Sequence, residues 1–187
     1  MTNQEKDLQN AREYLETHFP KLLETVMNDY FIEAKKQPWY KNTLFVIVAD
    51  HGHRLPLDSH GAFHPGKYHV PMMFYGDVIK PEYRGKTVSK LGNQTDLAAT
   101  LLAQLNLPHQ QFVWSKNLLN PYSKEFAFFD WDNGFGFMLP GQAVSYDNSG
   151  QRVIYRQNKN ADKQLTDKAL LYGKAFMQQI FTEYLAF

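Results

Sequence analysis

Residues 43–49 read Thr-Leu-Phe-Val-Ile-Val-Ala and run straight into Asp50-His51-Gly52-His53. A continuous apolar, β-rich run of this kind predicts a strand buried on both faces, not an alternating half-exposed one. Five of the seven histidines, His51, His53, His60, His64 and His69, fall within nineteen residues of one another. Open α/β sheets place their chemistry beyond the carboxyl ends of their strands. A buried strand that ends in a carboxylate and imidazoles therefore constrains both fold and function.

Side chains of adjacent strand residues point to opposite faces. Asp50 and His51 sit where the strand ends and the chain turns, and Gly52 supplies the backbone freedom for both to converge on one ion. A carboxylate with an imidazole suits Zn²⁺ or Mn²⁺ better than Mg²⁺ or Ca²⁺, which favour all-oxygen surroundings. Two donors do not complete a site, because a catalytic zinc centre takes about three protein ligands plus water. His60 and His64 lie in a loop rich in Gly, Pro and Ser, and an imidazolium there donates well to a phosphate or sulfate oxygen. His53 is open between metal contact, substrate contact and a capping role. His69, just before a second strand, reads as a packed residue. Arg54 and Lys67 read either as anion contacts or as solvated charge.

Bulk properties narrow the classes. With 187 residues and 43% hydrophobic composition, the chain can bury a core and is most simply one domain, or a large part of one. A net charge of +1 argues against nucleic-acid binding driven by charge. The absence of cysteine excludes disulfides, thiolate metal sites and a cysteine nucleophile. No run reaches the roughly 20 apolar residues needed to cross a bilayer, and the polar N-terminus lacks a signal-peptide pattern. As written, the expectation is cytoplasmic.

Helical spacing predicts a first helix over residues 3–18 and a second from Pro20 to about residue 36, carrying Leu22, Leu23, Val26, Met27, Tyr30, Phe31 and Ala34 on one side. Residues 70–76 predict the next strand, with Pro71 at its start or edge. Residues 94–105 predict a helix capped by Thr95 or Asp96 and ended by Asn106-Leu107-Pro108. Two aromatic strands flank Asp132-Asn133-Gly134, and a hairpin surrounds Asp147-Asn148-Ser149-Gly150. Trp131 and Phe135 read as core, with a lipid- or sugar-facing wall as the other option. A last helix starts near Asp162. The expected division is a helical segment at 1–38, an α/β half with the metal pair at 39–120, antiparallel strands at 121–160 and a closing helix at 161–187.

Three segments carry a resemblance when taken in order: Asn42-Thr-Leu-Phe-Val-Ile-Val-Ala-Asp-His-Gly-His53, His64-Pro-Gly-Lys-Tyr-His-Val-Pro-Met72 and Gln94-Thr-Asp-Leu-Ala-Ala-Thr-Leu-Leu102. Together they resemble the sulfatase family of the alkaline phosphatase superfamily, in the branch of lipoteichoic acid synthases and phosphoglycerol or phosphoethanolamine transferases. The resemblance covers residues 22–120 best. It implies an α/β fold built on a partial doubly wound, alkaline phosphatase-like sheet, with helices on both faces and a small antiparallel appendage. It implies a divalent metal (Mn²⁺, Zn²⁺, Mg²⁺ or Ca²⁺) held by Asp50 and His51, in a site these residues leave incomplete. His64, and less directly His60, match histidines near the substrate's anionic group. His53 falls where the branches differ.

In that family a threonine or a formylglycine nucleophile lies well upstream of the Asp-His pair, beyond an acidic ligand on the first strand. The residues ahead of the strand at 43–49 read as helices here, with Thr2, Thr17 and Thr25 in polar or helical settings. No Cys-x-Pro-x-Arg or Ser-x-Pro-x-Arg signature occurs. The chain thus resembles the C-terminal part of such an enzyme, lacking a nucleophile and inactive by itself. Its implied substrates are sulfate or phosphate esters, and its implied partners a missing N-terminal half or a second copy. The alternative is a non-catalytic remnant that binds metal or a partner. Relatives in this branch are membrane-anchored, with catalytic domains outside the cytoplasm.

Overall fold

The computed structural model describes residues 3–52 and 61–186. The chain divides into two compact units, Met1–Ser59 with His69–Lys86 and His60–Tyr68 with Thr87–Phe187. Both mix helices with antiparallel strands, within the α/β class expected from the sequence. Apolar patterning reports how far a strand is covered and not the direction of its neighbour, which is why strand direction was not legible.

The first unit contains α1 (Asn3–Ala34), β1 (Phe45–Val48) and β2 (Met72–Tyr75). One continuous helix replaces the two expected, and Pro20 lies inside it. A proline removes one backbone hydrogen bond and crowds the preceding turn. Good helix formers on both sides, Glu13 and Leu15 before it and Lys21, Leu22, Leu23 and Glu24 after it, carry the helix through. The strands pair antiparallel, from Phe45 opposite Tyr75 to Val48 opposite Met72. Pro71 sits just outside the ladder, so its missing N–H costs no strand bond, while its carbonyl accepts the N–H of Ala49.

β1 is half-buried, and Val48 is 37% exposed, against the two-sided burial its composition predicts. The described residues cover it by an aromatic cluster around Phe45. Phe31 stands edge-on to Phe45 at 5.0 Å and to Tyr75 at 4.7 Å, and Tyr40 lies 5.7 Å from Phe45. Leu22, Leu23, Val26 and Tyr30 on α1 remain exposed, while Phe31 and Ala34 in its last turns face the cluster or are buried. Gly76, at φ +141°, brings the chain against the carbonyl of Thr43, a conformation and approach that a side chain would obstruct.

The second unit contains α2 (Asp96–Gln104), β3 (Ala127–Trp131), β4 (Gly134–Leu139), β5 (Gln142–Asp147), β6 (Arg152–Arg156) and α3 (Lys163–Leu185). The strands form an antiparallel meander in the order β3-β4-β5-β6. Directly paired residues share a face. Phe137 and Val144 pack with Ala169 of α3, joined by Phe126, Phe128, Leu139, Leu170 and Phe176. Burying a ring such as Phe137 contributes about 1.5–3 kcal/mol. Gly173 lets α3 approach Phe135 and Phe137 closely. Phe135 is therefore core, not a ligand-facing wall. Asp162 caps α3 by accepting from the N–H of Gln164. The buried amide of Gln142 fixes the same end, donating to Asn158 O and Thr166 Oγ1 and accepting from the N–H of Asn158 and of Ala143.

At the β3 edge of the sheet, Asp96 does something its position did not suggest. It makes no cap to α2 of the expected kind. Its carboxylate, 1% exposed, accepts from the N–H of Asn93 at 2.7 Å, the N–H of Lys116 at 2.9 Å and Lys116 Nζ at 2.5 Å. Asn93 in turn presents its side-chain amide to the backbone of Phe128, accepting from its N–H and donating to its carbonyl. An asparagine side chain thus stands in for a strand neighbour along the edge of β3. α2 ends as expected at Asn106, whose φ of +58° accompanies N–H bonds from Asn106 to Ala103 O and from Leu107 to Leu102 O.

Two predictions follow from these contacts. Removing one member of a buried, hydrogen-bonded ion pair costs about 3–5 kcal/mol, so Asp96→Ala should lower the denaturant-unfolding stability of the second unit by about that amount. The Tyr40 hydroxyl bonds the Tyr75 hydroxyl at 3.4 Å, and this bond, with burial and the nearby Asp77, pushes the Tyr40 phenol up to about 12. The folded state therefore favours the neutral phenol. Its stabilising contribution should be intact below the ordinary tyrosine value of about 10 and lost as pH rises toward 12. Carbon-13 NMR of the Tyr40 ring should place its ionisation near the upper value, and Tyr75→Phe should return it toward the ordinary one.

Candidate functional site

β1 ends at Val48, and the next turn carries Asp50 and His51. Asp50 Oδ1 accepts the N–H of His51 at 3.0 Å, which orients the carboxylate toward its neighbour. His51 Nδ1 lies 2.9 Å from the carbonyl of Gly52. A carbonyl only accepts, so Nδ1 carries a proton, and the lone pair of the neutral ring is on Nε2. Nε2 faces Asp50 Oδ2 at 3.5 Å. Two acceptors facing each other at that distance are spaced to share a cation.

The donor set fits a metal in chemistry and in spacing. Two ligands at about 2.0–2.1 Å from a tetrahedral ion lie roughly 3.4 Å apart. An imidazole whose other nitrogen is bound to a backbone carbonyl is the usual form of a metal-ligating histidine. The side chains of His51 and Asp50 are 75% and 88% exposed. At such exposure a bare ion pair contributes little. Among the described residues, no group of three or more His, Asp, Glu or Cys side chains is placed to hold an ion.

His64 belongs to the second unit, in a turn that leads into the short helical segment Pro65–Tyr68. This turn lies on the face of the β3–β6 sheet opposite α3. Ser145 Oγ donates to Phe63 O at 2.6 Å, and Tyr68 stacks on Phe129 at 4.4 Å and donates to Ala62 O at 2.8 Å. Gly136, the cross-strand neighbour of Phe129, leaves the space that the Phe129 ring occupies. Within the turn, the N–H of Gly66 donates to His64 Nδ1 at 3.0 Å. The neutral ring then carries its proton on Nε2, so His64 is a donor at Nε2 without first being protonated.

The sequence-derived candidates thus separate into groups. Asp50 and His51 come together as a pair. His64 is seated by the antiparallel sheet of its own unit. His53, Arg54 and His60 lie outside the described residues. His69 is exposed ahead of β2, not packed, and Lys67 is half-buried in the turn after His64. Ser145 and Tyr155, which hold and flank the His64 turn, were not foreseen. Alternation in a hairpin gives no sign that its inward face will receive a loop 82 to 91 residues away in sequence.

Among the described residues, no helix is long and apolar enough to cross a membrane. The structure is similar to that of a protein in the alkaline phosphatase superfamily from Vibrio parahaemolyticus, with a TM-score of 0.56 and 22% sequence identity. The similarity covers 82% of this chain and 40% of that one, so the chain spans less than half of that protein's length. At this identity the likeness establishes the fold. The Sulfatase family model matches residues 3–107, the segment that contains α1, the Asp50–His51 pair, His64 and α2. On that match, the chain belongs to the sulfatase family.

Proposed function

We propose that this chain carries the metal-holding pair and an anion-contacting histidine of an enzyme acting on sulfate or phosphate esters. Within the family we place it in the lipoteichoic acid synthase-like, phosphoglycerol or phosphoethanolamine transferase branch, on the ordered segments around Asp50, His64 and Asp96. The observation that carries the proposal is the pair itself, with His51 Nε2 and Asp50 Oδ2 facing each other at 3.5 Å while Nδ1 is bound to Gly52 O. These two residues would hold a divalent cation, with Zn²⁺ and Mn²⁺ the best matches to a mixed nitrogen and oxygen donor set.

When bound, such an ion polarises an ester oxygen and makes a coordinated nucleophile easier to deprotonate. The chain's own residues supply the rest of the local chemistry. The backbone carbonyl of Gly52 fixes the imidazole tautomer that keeps Nε2 available. Asp50 offers the anionic oxygen. His64 presents Nε2–H as a neutral donor to a non-bridging oxygen of the ester, where it stabilises charge without taking a proton. His60 is proposed as a second such contact on its position in the histidine loop. No threonine of residues 1–49 is placed by its sequence setting to be the nucleophile, so turnover by these 187 residues is not expected. Membrane anchoring and action outside the cytoplasm, common in this branch, extend the same proposal to any longer polypeptide that contains the chain.

A second reading has its own support. Leu22, Leu23, Val26 and Tyr30 form an exposed apolar face on α1, and among the described residues neither β1 nor β2 pairs on its outer side. An open edge and an apolar helix face suit pairing with another chain, either a second copy or a missing half. On that reading the chain is a non-catalytic binding module.

Metal affinity separates the two. Titration of the purified chain with Zn²⁺ and with Mn²⁺ should give saturable binding that Asp50→Ala or His51→Ala weakens by more than about tenfold. Equal binding by both variants and the parent chain would remove the metal pair from the account and favour the binding module.

A further inference from the structure

Tyr155, on β6, lies directly across from Ser145 in the sheet, next to an irregularity in the β5–β6 ladder between Ser145 and Tyr146. Tyr146 pairs with Val153 and Ser145 with Tyr155, so Ile154 is the extra residue on β6. Bulges of this kind re-aim side chains and recur beside functional sites. Here the half-buried Tyr155 ring meets the turn that Ser145 anchors. It lies edge-on to the His64 ring at 5.0 Å and 6.2 Å from Phe63, and its hydroxyl is 3.4 Å from His64 Nε2.

The proton placement gives this contact a direction. Gly66 N–H occupies the Nδ1 lone pair, so Nε2–H is the donor and the Tyr155 oxygen the acceptor. At 3.4 Å the bond is weak. The tyrosine keeps its own O–H, which does not point back at the ring it accepts from. Two donors 3.4 Å apart can both reach a single anionic oxygen at roughly 2.8 Å.

Resting on the assignment of His64 to an ester's anionic oxygens, we propose that Tyr155 is the second donor of the same subsite. Its hydroxyl and His64 Nε2–H would bind one sulfate or phosphate group together, both from the second unit. Tyr155 is then a binding residue, and the ladder irregularity between β5 and β6 is the device that presents it. Support of the histidine ring through ring contact is retained in Tyr155→Phe, whereas a donor to the anion is lost.

The test uses the intact chain, titrated with inorganic sulfate and with inorganic phosphate while the His64 ring nitrogens are followed by NMR. The parent chain should show a saturable shift at His64 Nε2. Tyr155→Phe should leave the His64 tautomer, set by Gly66 N–H, unchanged while weakening both anions about 5- to 10-fold. His64→Gln should abolish the effect of Tyr155→Phe on anion affinity. Unchanged affinity in Tyr155→Phe, alongside weakened binding in His64→Gln, would overturn the role of Tyr155 and leave that of His64 standing. Unchanged affinity in His64→Gln would overturn the assignment of His64 on which the proposal rests. No saturable shift in the parent chain would overturn both.

Discussion

The second unit is organised around a carboxylate that water does not reach. Asp96 gathers two backbone N–H groups and one ammonium, and through Asn93 it closes the edge of β3, where an open strand would otherwise leave its backbone unpaired. Lys116, the ammonium in question, also lies over the ring of Phe126 at 4.0 Å, which ties the ion pair to the aromatic packing under α3. A buried charge is tolerated only where geometry and hydrogen bonds compensate its lost hydration. Here the compensating groups come from Asn93 and Lys116, and Asn93 also bonds the backbone of β3, so satisfying the charge also fixes how α2, the loop after Ser115 and the sheet are joined.

That sheet then has two uses. Its α3 face is an ordinary aromatic and aliphatic core. Its other face receives the turn of residues 61–68 through Ser145, Phe129 and Tyr155. The histidine turn is therefore positioned by strands that come after it in the chain, and the antiparallel segment is a platform for that turn. In the first unit the analogous task falls to β1, whose end presents Asp50 and His51, and to the aromatic cluster that holds β1 against α1. The family match ends at residue 107, before the platform begins.

Much of this was legible in the residues. Helix α2 and its Asn106 stop, both hairpins, the start of α3 at Asp162 and the Asp50–His51 pair all follow from local chemistry: capping, turn residues, and donors at a strand end. What was not legible depends on groups brought together by folding. Pro20 reads locally as a helix start, yet helix formers on both sides override it. The run at 43–49 reads as fully buried, yet in this unit Val48 stays open to solvent. Asp96 reads as a cap because short polar residues before a helix usually are, and only tertiary packing reveals Lys116 as its partner. Tyr155 carried no local signal, since its contact with His64 exists only where the His64 turn is seated.

The functional account depends most on one cation between two acceptors. Anomalous diffraction from crystals of the chain grown with Zn²⁺ or Mn²⁺ would locate that cation directly. The account predicts a peak about 2.0–2.2 Å from both His51 Nε2 and an Asp50 carboxylate oxygen. Metal bound only at other histidines, or none at this pair, would contradict it.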